Sequence, residues 1–217
     1  MDLYKSRWRT MDEVYQYRNL TRGVFHKLQP EVGPDIFLFP LFSASFCNAV
    51  LDFVKKEENS HLWEFDSDGA AFRLTDFPFK EESRSNTGQN SIFQLFEVSG
   101  FMHAWELAMQ WVMPIIHARW PTFEFEKIGD ATVLRYDAKH YPLLKDHIDF
   151  ETMGFIVLLN TNYSGGGTHF PKWNLTITGQ EPGTVLMYPG GLSHVHGGRR
   201  VTGGERYVLL GDFMGQD

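Results

Sequence analysis

Two side chains that could bind a metal, His147 and Asp149, stand two residues apart in the segment KDHIDFETMGFIVLLN. In extended chain, residues i and i+2 project from the same face, so this spacing predicts a two-point clamp at the head of an apolar run. A third candidate ligand, His196, follows forty-nine residues later in GGLSHVHGGRR. Two His and one carboxylate form the facial triad that holds Fe(II) while leaving positions on the metal open. The pattern therefore predicts a non-haem iron centre.

An arginine completes this set. Arg206 comes ten residues after His196, in GERYVLL, and alternates with Val208 and Leu210 on one face of a predicted strand. A guanidinium that points into an apolar barrel needs a carboxylate partner, and its planar fork binds a carboxylate through two hydrogen bonds. We therefore predict that Arg206 binds the far end of a dicarboxylate co-substrate, 2-oxoglutarate, and that Tyr136 in VLRYD could donate its hydroxyl to the same molecule. If they pointed elsewhere, the two would be an ordinary surface Arg and a barrel Tyr.

Other histidines compete for the third ligand position. In a chain with nine His, a His-x-Asp or His-x-Glu pair is expected about once by chance. The pair therefore indicates a metal site only in combination with His196 and the arginine. His194 shares a strand face with His196, but the adjacent glycines and the ten-residue step to the arginine favour His196. His194 could instead pack or hydrogen-bond behind the ligands. His169 in GGGTHF and His140 in AKHYP are weaker candidates.

Composition limits the class of protein. The 217 residues suit one domain, with 42% hydrophobic and 15% aromatic residues to fill a core. A net charge of −7 argues against binding a phosphate backbone and permits a cationic substrate. The single Cys47 cannot form an intrachain disulfide. No apolar run reaches membrane-spanning length, and MDLYKSRWRT has no signal-peptide character, so we expect a soluble fragment without a targeting signal.

The first half of the chain reads as support for the predicted site. We expect an N-terminal extension with a helix over residues 1–35. We expect a helical support region over residues 36–120, and it begins with a buried strand, Ile36 to Phe42. An amphipathic helix capped by Ser43 or Ser45 follows, because Phe46, Val50, Phe53 and Val54 recur at helical spacing. The segment FMHAWELAMQWVMPIIHARW predicts a second helix. A short strand is expected from Ile92 to Val98.

The second half has a different texture. From residue 121 to 217, short apolar runs such as ATVLRYD, GFIVLLNTNY, GTVLMYPG and ERYVLLGDFM alternate with Gly, Pro and Asn. Regular short strands with turn residues between them predict a β-barrel or jelly roll. We therefore expect an α+β, β-rich fold, a single domain over residues 1–217 in which N-terminal helices support the barrel core at 121–217.

From about Ile36 onward, the sequence resembles the catalytic domain of the procollagen-lysine 2-oxoglutarate 5-dioxygenases, within the prolyl 4-hydroxylase-like superfamily. The motifs that carry the resemblance are RYD, HID, YSGGGTHF, YPGGLSHVHGG and TGGERYVLLGDF. The resemblance implies a double-stranded β-helix (jelly-roll) core, with His147, Asp149 and His196 as iron ligands. It also implies that Arg206 and Tyr136 bind 2-oxoglutarate.

The resemblance implies a reaction as well, the hydroxylation of lysine in collagen-like peptides with release of succinate and CO2. Ascorbate as reductant, a homodimer and the lumen of the endoplasmic reticulum are implied in the same way. Prolyl 4-hydroxylases have Lys where this chain has Arg206, which favours the lysine branch. At Ile156, some relatives have a polar residue that touches the co-substrate, so the resemblance does not define those contacts in this chain.

A lysine substrate predicts carboxylates near the site. The candidates are Asp146, Glu151 and the acidic pair Glu81–Glu82, and the loop residues Arg199–Arg200 lie close enough in sequence to touch substrate. One alternative keeps the iron chemistry but acts on proline or demethylates nucleic acid, and the acidic net charge argues against the nucleic-acid substrate. Another is a non-catalytic dimerisation or collagen-binding module, against which the complete triad and Arg206 speak.

Overall fold

The computed structural model describes residues 31–57, 63–65, 70–73, 112–113, 115–122, 124–128 and 132–215. Three sequence predictions lie outside these residues: the helix in the N-terminal extension before residue 31, the strand Ile92 to Val98, and the acidic pair Glu81–Glu82. Among the described helices, none is both long and apolar enough to cross a membrane.

The described strands form two sheets. The larger one has ten antiparallel strands, which are β1 (Glu31–Gly33), β2 (Ile36–Pro40), β3 (Glu64–Phe65), β4 (Ala70–Arg73), β5 (Phe125–Ile128), β6 (Thr132–Asp137), β8 (Met153–Leu158), β9 (Tyr163–Gly165), β12 (Thr184–Pro189) and β14 (Val201–Gly215). Their order is β1-β2-β12-β8-β14-β6-β4-β3, with β5 and β9 also paired to β14.

The smaller sheet has four antiparallel strands in the order β11-β10-β13-β7. They are β7 (Leu144–His147), β10 (Thr168–Phe170), β11 (Leu175–Ile177) and β13 (His196–Gly198). The two sheets are those of a double-stranded β-helix, so the predicted strand-rich fold is confirmed. Both predicted histidine ligands lie on the smaller sheet.

Strand β14 shows how alternation positions the site. Tyr207, Leu209 and Phe213 are buried in the hydrophobic core, on the face of the larger sheet that packs against helix. Arg206 and Val208, which alternate with them, instead line a cavity between the sheets. A strand sends successive side chains to opposite faces, so one strand supplies both the core and the cavity wall. The predicted alternation is confirmed.

Helix α1 (Ala44–Val54) covers the core face of the larger sheet. It begins as predicted, because the Ser43 side chain accepts a hydrogen bond from the backbone N–H of Phe46 at 3.2 Å. Further helical residues occur at 112–113 and 115–119, within the second predicted helix, and contribute Val112 and Ile116 to the same core. The earlier part of that predicted helix lies outside the described residues.

The predicted support region, residues 36–120, also contributes strands. β2 pairs with β12 and β4 pairs with β6, so both extend the larger sheet beyond the strands of the C-terminal half. The physical reason is that the edges of that sheet expose unpaired backbone groups, which these strands satisfy. The single domain with divisions at 35 and 120 stays a prediction.

Candidate metal centre and its cavity

The three predicted ligands come together at one end of the smaller sheet. β7 ends at His147 and β13 begins at His196, and the two residues are direct cross-strand partners. Asp149 follows in the loop between β7 and β8. This differs from the sequence interpretation, in which the His and Asp opened one continuous apolar strand, because residues 148–152 form a bent loop. Backbone N–H groups of Gly190 and Gly191 donate to the carbonyls of Thr152 and Asp149 at 2.9 and 2.8 Å, which holds that loop in place.

The ligand atoms converge. Nε2 of His147 lies 3.5 Å from Oδ1 of Asp149, and Nε2 of His196 lies 3.6 Å from Oδ2. The two imidazole rings are 4.4 Å apart between centroids. One atom from each residue lies within 4.8 Å of the others, and no second such cluster of three occurs among the described residues. A single ion could therefore contact all three residues.

Hydrogen bonds to the backbone set the tautomer of both imidazoles. Nδ1 of His147 lies 2.8 Å from the Lys145 carbonyl oxygen, and Nδ1 of His196 lies 3.1 Å from that of His194. A carbonyl oxygen accepts only, so each Nδ1 carries the proton and donates it. In both rings Nε2 is therefore the nitrogen that faces Asp149, and it is the atom that binds an ion when it carries no proton. Histidine ligands in metal sites are oriented in this way.

The site also sets the charges of its groups. The hydrogen bond with Asp149 raises the pKa of His147, while burial lowers the pKa of His196. For Asp149, burial acts to raise the pKa, but the hydrogen bonds from His147 and Tyr188 and the field of His196 hold it below its usual value. The result near neutral pH is an ionised carboxylate between imidazoles, one of which is held neutral, and this donor set suits a divalent ion.

Tyr188 is part of the cluster and was not predicted. Its hydroxyl lies 3.0 Å from Oδ2 of Asp149 and 2.9 Å from Nε2 of His196. Burial, together with the negative charge of Asp149, raises the pKa of Tyr188 well above its usual value, so the hydroxyl keeps its proton.

A glycine makes room for this tyrosine. On the neighbouring strand β8, Gly154 lies directly opposite Tyr188. A Cβ at Gly154 would lie 2.7 Å from the Tyr188 ring and 2.9 Å from Oδ2 of Asp149. The signal in the sequence is a glycine inside an otherwise apolar strand, which often marks a close approach of another group.

A cavity of about 370 Å³ opens beside the cluster, and all three candidate ligands, Tyr188, Tyr136 and Arg206 line it. Arg206 is 5% exposed, and its guanidinium lies 5.3 Å from the Tyr136 ring centroid. Its Nη2 donates to Oγ1 of Thr168 at 3.4 Å, whereas the buried Nε has no hydrogen-bond partner among the described residues. No described carboxylate forms an ion pair with Arg206. A buried cation without an anionic partner fits the carboxylate of a bound dicarboxylate.

The competing histidines have other roles. The ring of His194 is buried 4.9 Å from that of Trp173, and its Nε2 lies 2.9 Å from the Pro34 carbonyl oxygen. His169 bonds to Oγ1 of Thr176 through Nδ1 at 2.8 Å. His140 is exposed and pairs with Asp137. All three lie outside the metal-ligand cluster, in agreement with the choice of His196.

Only some of the residues predicted to contact substrate line the cavity. Glu151 and Ile156 line the cavity. Asp146 is exposed and does not line it, although its carboxylate lies against Gly197, which does. Arg199 and Arg200 are exposed and outside the cavity lining. Glu151 is therefore the described carboxylate best placed to meet a substrate side chain.

Comparisons with known proteins agree with this geometry. No protein-family model matches the chain. It is 27% identical over 203 residues to procollagen-lysine,2-oxoglutarate 5-dioxygenase 1 of Homo sapiens, which covers 91% of this chain and 26% of the human protein. A multifunctional procollagen lysine hydroxylase and glycosyltransferase of Caenorhabditis elegans is 26% identical, with 91% of this chain and 27% of that protein covered. The chain thus spans about a quarter of the length of the curated relatives it matches.

Solved structures share the fold. The viral collagen prolyl hydroxylase of Paramecium bursaria Chlorella virus-1, in its 2OG complex, gives a TM-score of 0.58 at 14% identity over 85% of this chain and 98% of that one. A prolyl 4-hydroxylase from Phytophthora capsici gives 0.60 at 13% identity over 95% of this chain and 70% of that one. The resemblance read from the sequence is confirmed: the chain is similar to procollagen lysine hydroxylases, and it has the double-stranded β-helix fold of prolyl 4-hydroxylase-like oxygenases.

Proposed function

We propose that this chain is an Fe(II)- and 2-oxoglutarate-dependent dioxygenase domain that hydroxylates lysine in collagen-like peptides. The observation that carries the proposal is the convergence of His147, Asp149 and His196 in the same cavity as a buried arginine that pairs with no carboxylate among the described residues. The likeness to procollagen lysine hydroxylases supports the choice of lysine.

Each residue has a separate task in this proposal. His147, Asp149 and His196 hold the iron, and Arg206, steadied by Thr168, binds the far carboxylate of 2-oxoglutarate through its free Nε side. The Tyr136 hydroxyl donates a hydrogen bond to the same co-substrate. When bound, iron and 2-oxoglutarate supply the oxidation of a C–H bond by O2, with release of succinate and CO2. Apolar side chains limit water around the reacting groups; they are Leu134, Leu144, Ile156, Val208 and Leu210.

Glu151 is proposed to bind the ammonium of the substrate lysine. It lines the cavity two residues after Asp149, so a side chain that approaches the iron passes near its carboxylate. A charge-assisted hydrogen bond contributes about 1.5–3 kcal/mol, which corresponds to roughly tenfold or more in affinity. Proline carries no such charge, so this residue favours lysine over the alternative substrate.

The decisive assay supplies Fe(II), 2-oxoglutarate and ascorbate together with a collagen-like peptide that has Lys before Gly. Succinate release and a peptide mass gain of one oxygen on Lys are expected. A matched peptide with Pro in place of Lys distinguishes lysine hydroxylation from proline hydroxylation. Oxygen gained on Pro alone would overturn the lysine assignment. The absence of any succinate with iron present would leave a non-catalytic module.

The role of Glu151 has its own variant pair. Glu151→Gln is expected to raise KM for the Lys peptide about tenfold while succinate formation without peptide stays unchanged. Asp146→Asn serves as the matched control, since Asp146 lies outside the cavity lining and should leave KM unchanged. An unchanged KM in the Glu151 variant would remove this residue from the proposal.

Three further features are proposed from the likeness alone. They are ascorbate as the reductant, a homodimer, and residence in the lumen of the endoplasmic reticulum. The first is tested by whether sustained turnover depends on ascorbate. The second is tested by the mass of the protein in solution, and the third by fractionation of cells that express it.

A further inference from the structure

The hydroxyl of Tyr188 stands between two metal-ligand atoms. It lies 3.0 Å from Oδ2 of Asp149 and 2.9 Å from Nε2 of His196. Nδ1 of His196 faces the His194 carbonyl and carries the ring proton, so Nε2 can only accept. The phenol has one proton, and two acceptors compete for it. An ion bound to Nε2 removes one of these acceptors and leaves Oδ2 of Asp149 to receive the hydrogen bond.

We propose that Tyr188 is a positioning residue that holds Oδ2 of Asp149 in a hydrogen bond, so that the carboxylate binds the metal through Oδ1 alone. This inference rests on the proposed function. The distances support the division, because Oδ1 is the oxygen that faces His147 and Oδ2 is the one that faces both His196 and the phenol. A carboxylate that used both oxygens would occupy one more position on the ion and leave fewer for 2-oxoglutarate and O2.

The tyrosine is fixed well enough to act in this way. Its side chain is 2% exposed, and its ring packs edge-on against Phe170 at 5.3 Å between centroids. The ring of His196 lies 4.6 Å away on another side. Gly154 opposite leaves no free space, since even one added carbon would lie 2.7 Å from the phenol ring. The hydroxyl therefore has little freedom to leave Asp149.

The test compares Tyr188→Phe with Tyr207→Phe. The Tyr207 hydroxyl also donates to a carboxylate, Oε2 of Glu205 at 2.9 Å, but neither residue lines the cavity, so the control removes the same kind of bond elsewhere. Co(II) replaces iron, because its visible absorption reports the number of ligands. In Tyr188→Phe we expect an altered Co(II) spectrum, Co(II) affinity equal to or higher than that of the wild type, and about tenfold weaker anaerobic binding of 2-oxoglutarate. Tyr207→Phe should match the wild type in all three.

A second pair guards against a folding defect. 4-Aminophenylalanine at position 188 retains an N–H donor, and 4-methylphenylalanine has nearly the same volume without one. The inference predicts the wild-type spectrum and 2-oxoglutarate affinity for the amine, and the altered values for the methyl compound. Equal behaviour of the two would overturn it, whatever happens to Tyr188→Phe.

Two other outcomes would also overturn the inference. A Tyr188→Phe protein with wild-type spectrum and 2-oxoglutarate affinity shows that the carboxylate needs no such partner. A folded Tyr188→Phe protein that no longer binds Co(II) makes the tyrosine itself a ligand. Both leave the proposed function standing, whereas a wild-type chain that binds no Co(II) removes the proposed function and this inference together.

Discussion

Replacement of Arg206 by Met should make the ligand-free protein more stable and, at the same time, unable to respond to 2-oxoglutarate. Arg206 is 5% exposed, and its Nε has no partner among the described residues. A buried charge costs several kcal/mol of desolvation unless it is paired, and apolar replacements of buried charged groups are often stabilising by about 1–4 kcal/mol. Met has an unbranched, flexible chain that can follow the course of the Arg stem.

The size of the effect follows from the contacts that would be lost. They are the contact with the Tyr136 ring at 5.3 Å, worth about 1 kcal/mol, and the hydrogen bond to Thr168 at 3.4 Å, which is long and worth about 0.5 kcal/mol. Against a gain of roughly 3 kcal/mol from removing the buried charge, a net stabilisation of about 1–2 kcal/mol remains. For a chain of this size, that raises Tm by about 2–8 °C.

The assay is thermal unfolding with Mn(II) in place of iron, with and without 2-oxoglutarate. At a concentration of one hundred times Kd, a ligand stabilises the native state by about 2.7 kcal/mol, which raises Tm by roughly 5–11 °C. The wild type should show this rise, and Arg206→Met should not. Arg199→Met is the control, because Arg199 is exposed and outside the cavity, and it should behave as the wild type.

Either of two results would contradict this role of Arg206. One is an Arg206→Met protein that melts well below the wild type without 2-oxoglutarate, which would mean that the charge has a stabilising partner. The other is an equal rise of Tm on adding 2-oxoglutarate, which would place the co-substrate away from Arg206.

The further predictions concern one residue near the site and one in the core. Gly154→Ala should reduce the free energy of unfolding by about 1–3 kcal/mol and weaken metal binding, because the added Cβ would lie 2.9 Å from Oδ2 of Asp149. Denaturant unfolding and Co(II) titration measure the two effects. Gly203→Ala is the control and should change neither, because the atoms nearest to its Cβ would lie at 3.8 Å. Burial raises the pKa of Cys47 from 9.0 to about 12, so its thiol should react slowly with a disulfide reagent at pH 8 in the native protein and rapidly in urea. Because the folded protein disfavours the thiolate, the stability linked to this thiol is fully present below pH 9 and is lost as pH rises toward about 12. Denaturant unfolding across this pH range should therefore show a larger loss of stability for the wild type than for Cys47→Ala. Equal losses in the two proteins would exclude a contribution from this thiol.

Residue type and spacing were enough to predict which three side chains converge and that the arginine lies in the same cavity. Each candidate ligand stands beside a local signal: His147 and Asp149 share a short motif, and glycines follow His196. Alternation in β14 placed Arg206 on the face opposite Tyr207, and that placement depends on the two-residue period of a strand rather than on which strands are neighbours. The cap at Ser43 is local in the same sense.

Tyr188 could not be predicted in this way. It lies next to last in an apolar strand and resembles a core residue. Its contact with Asp149 depends on the register between β12 and β8, two strands far apart in the chain. The bent loop at residues 148–152 was missed for a similar reason. It forms because backbone groups of Gly190 and Gly191 hold it, and long-range hydrogen bonds leave no periodic trace in the sequence.

The side chain and backbone of His194 link the first described strands to the metal centre. Its Nε2 lies 2.9 Å from the carbonyl oxygen of Pro34 in the turn between β1 and β2, and its own carbonyl receives Nδ1 of His196. Arg119 holds the same turn through Asp35 at 2.6 Å. A shortened form of the protein that begins after Pro34 would remove the anchor of His194 and with it the orientation of one ligand. Any minimal fragment made for crystallisation should therefore retain the β1–β2 hairpin.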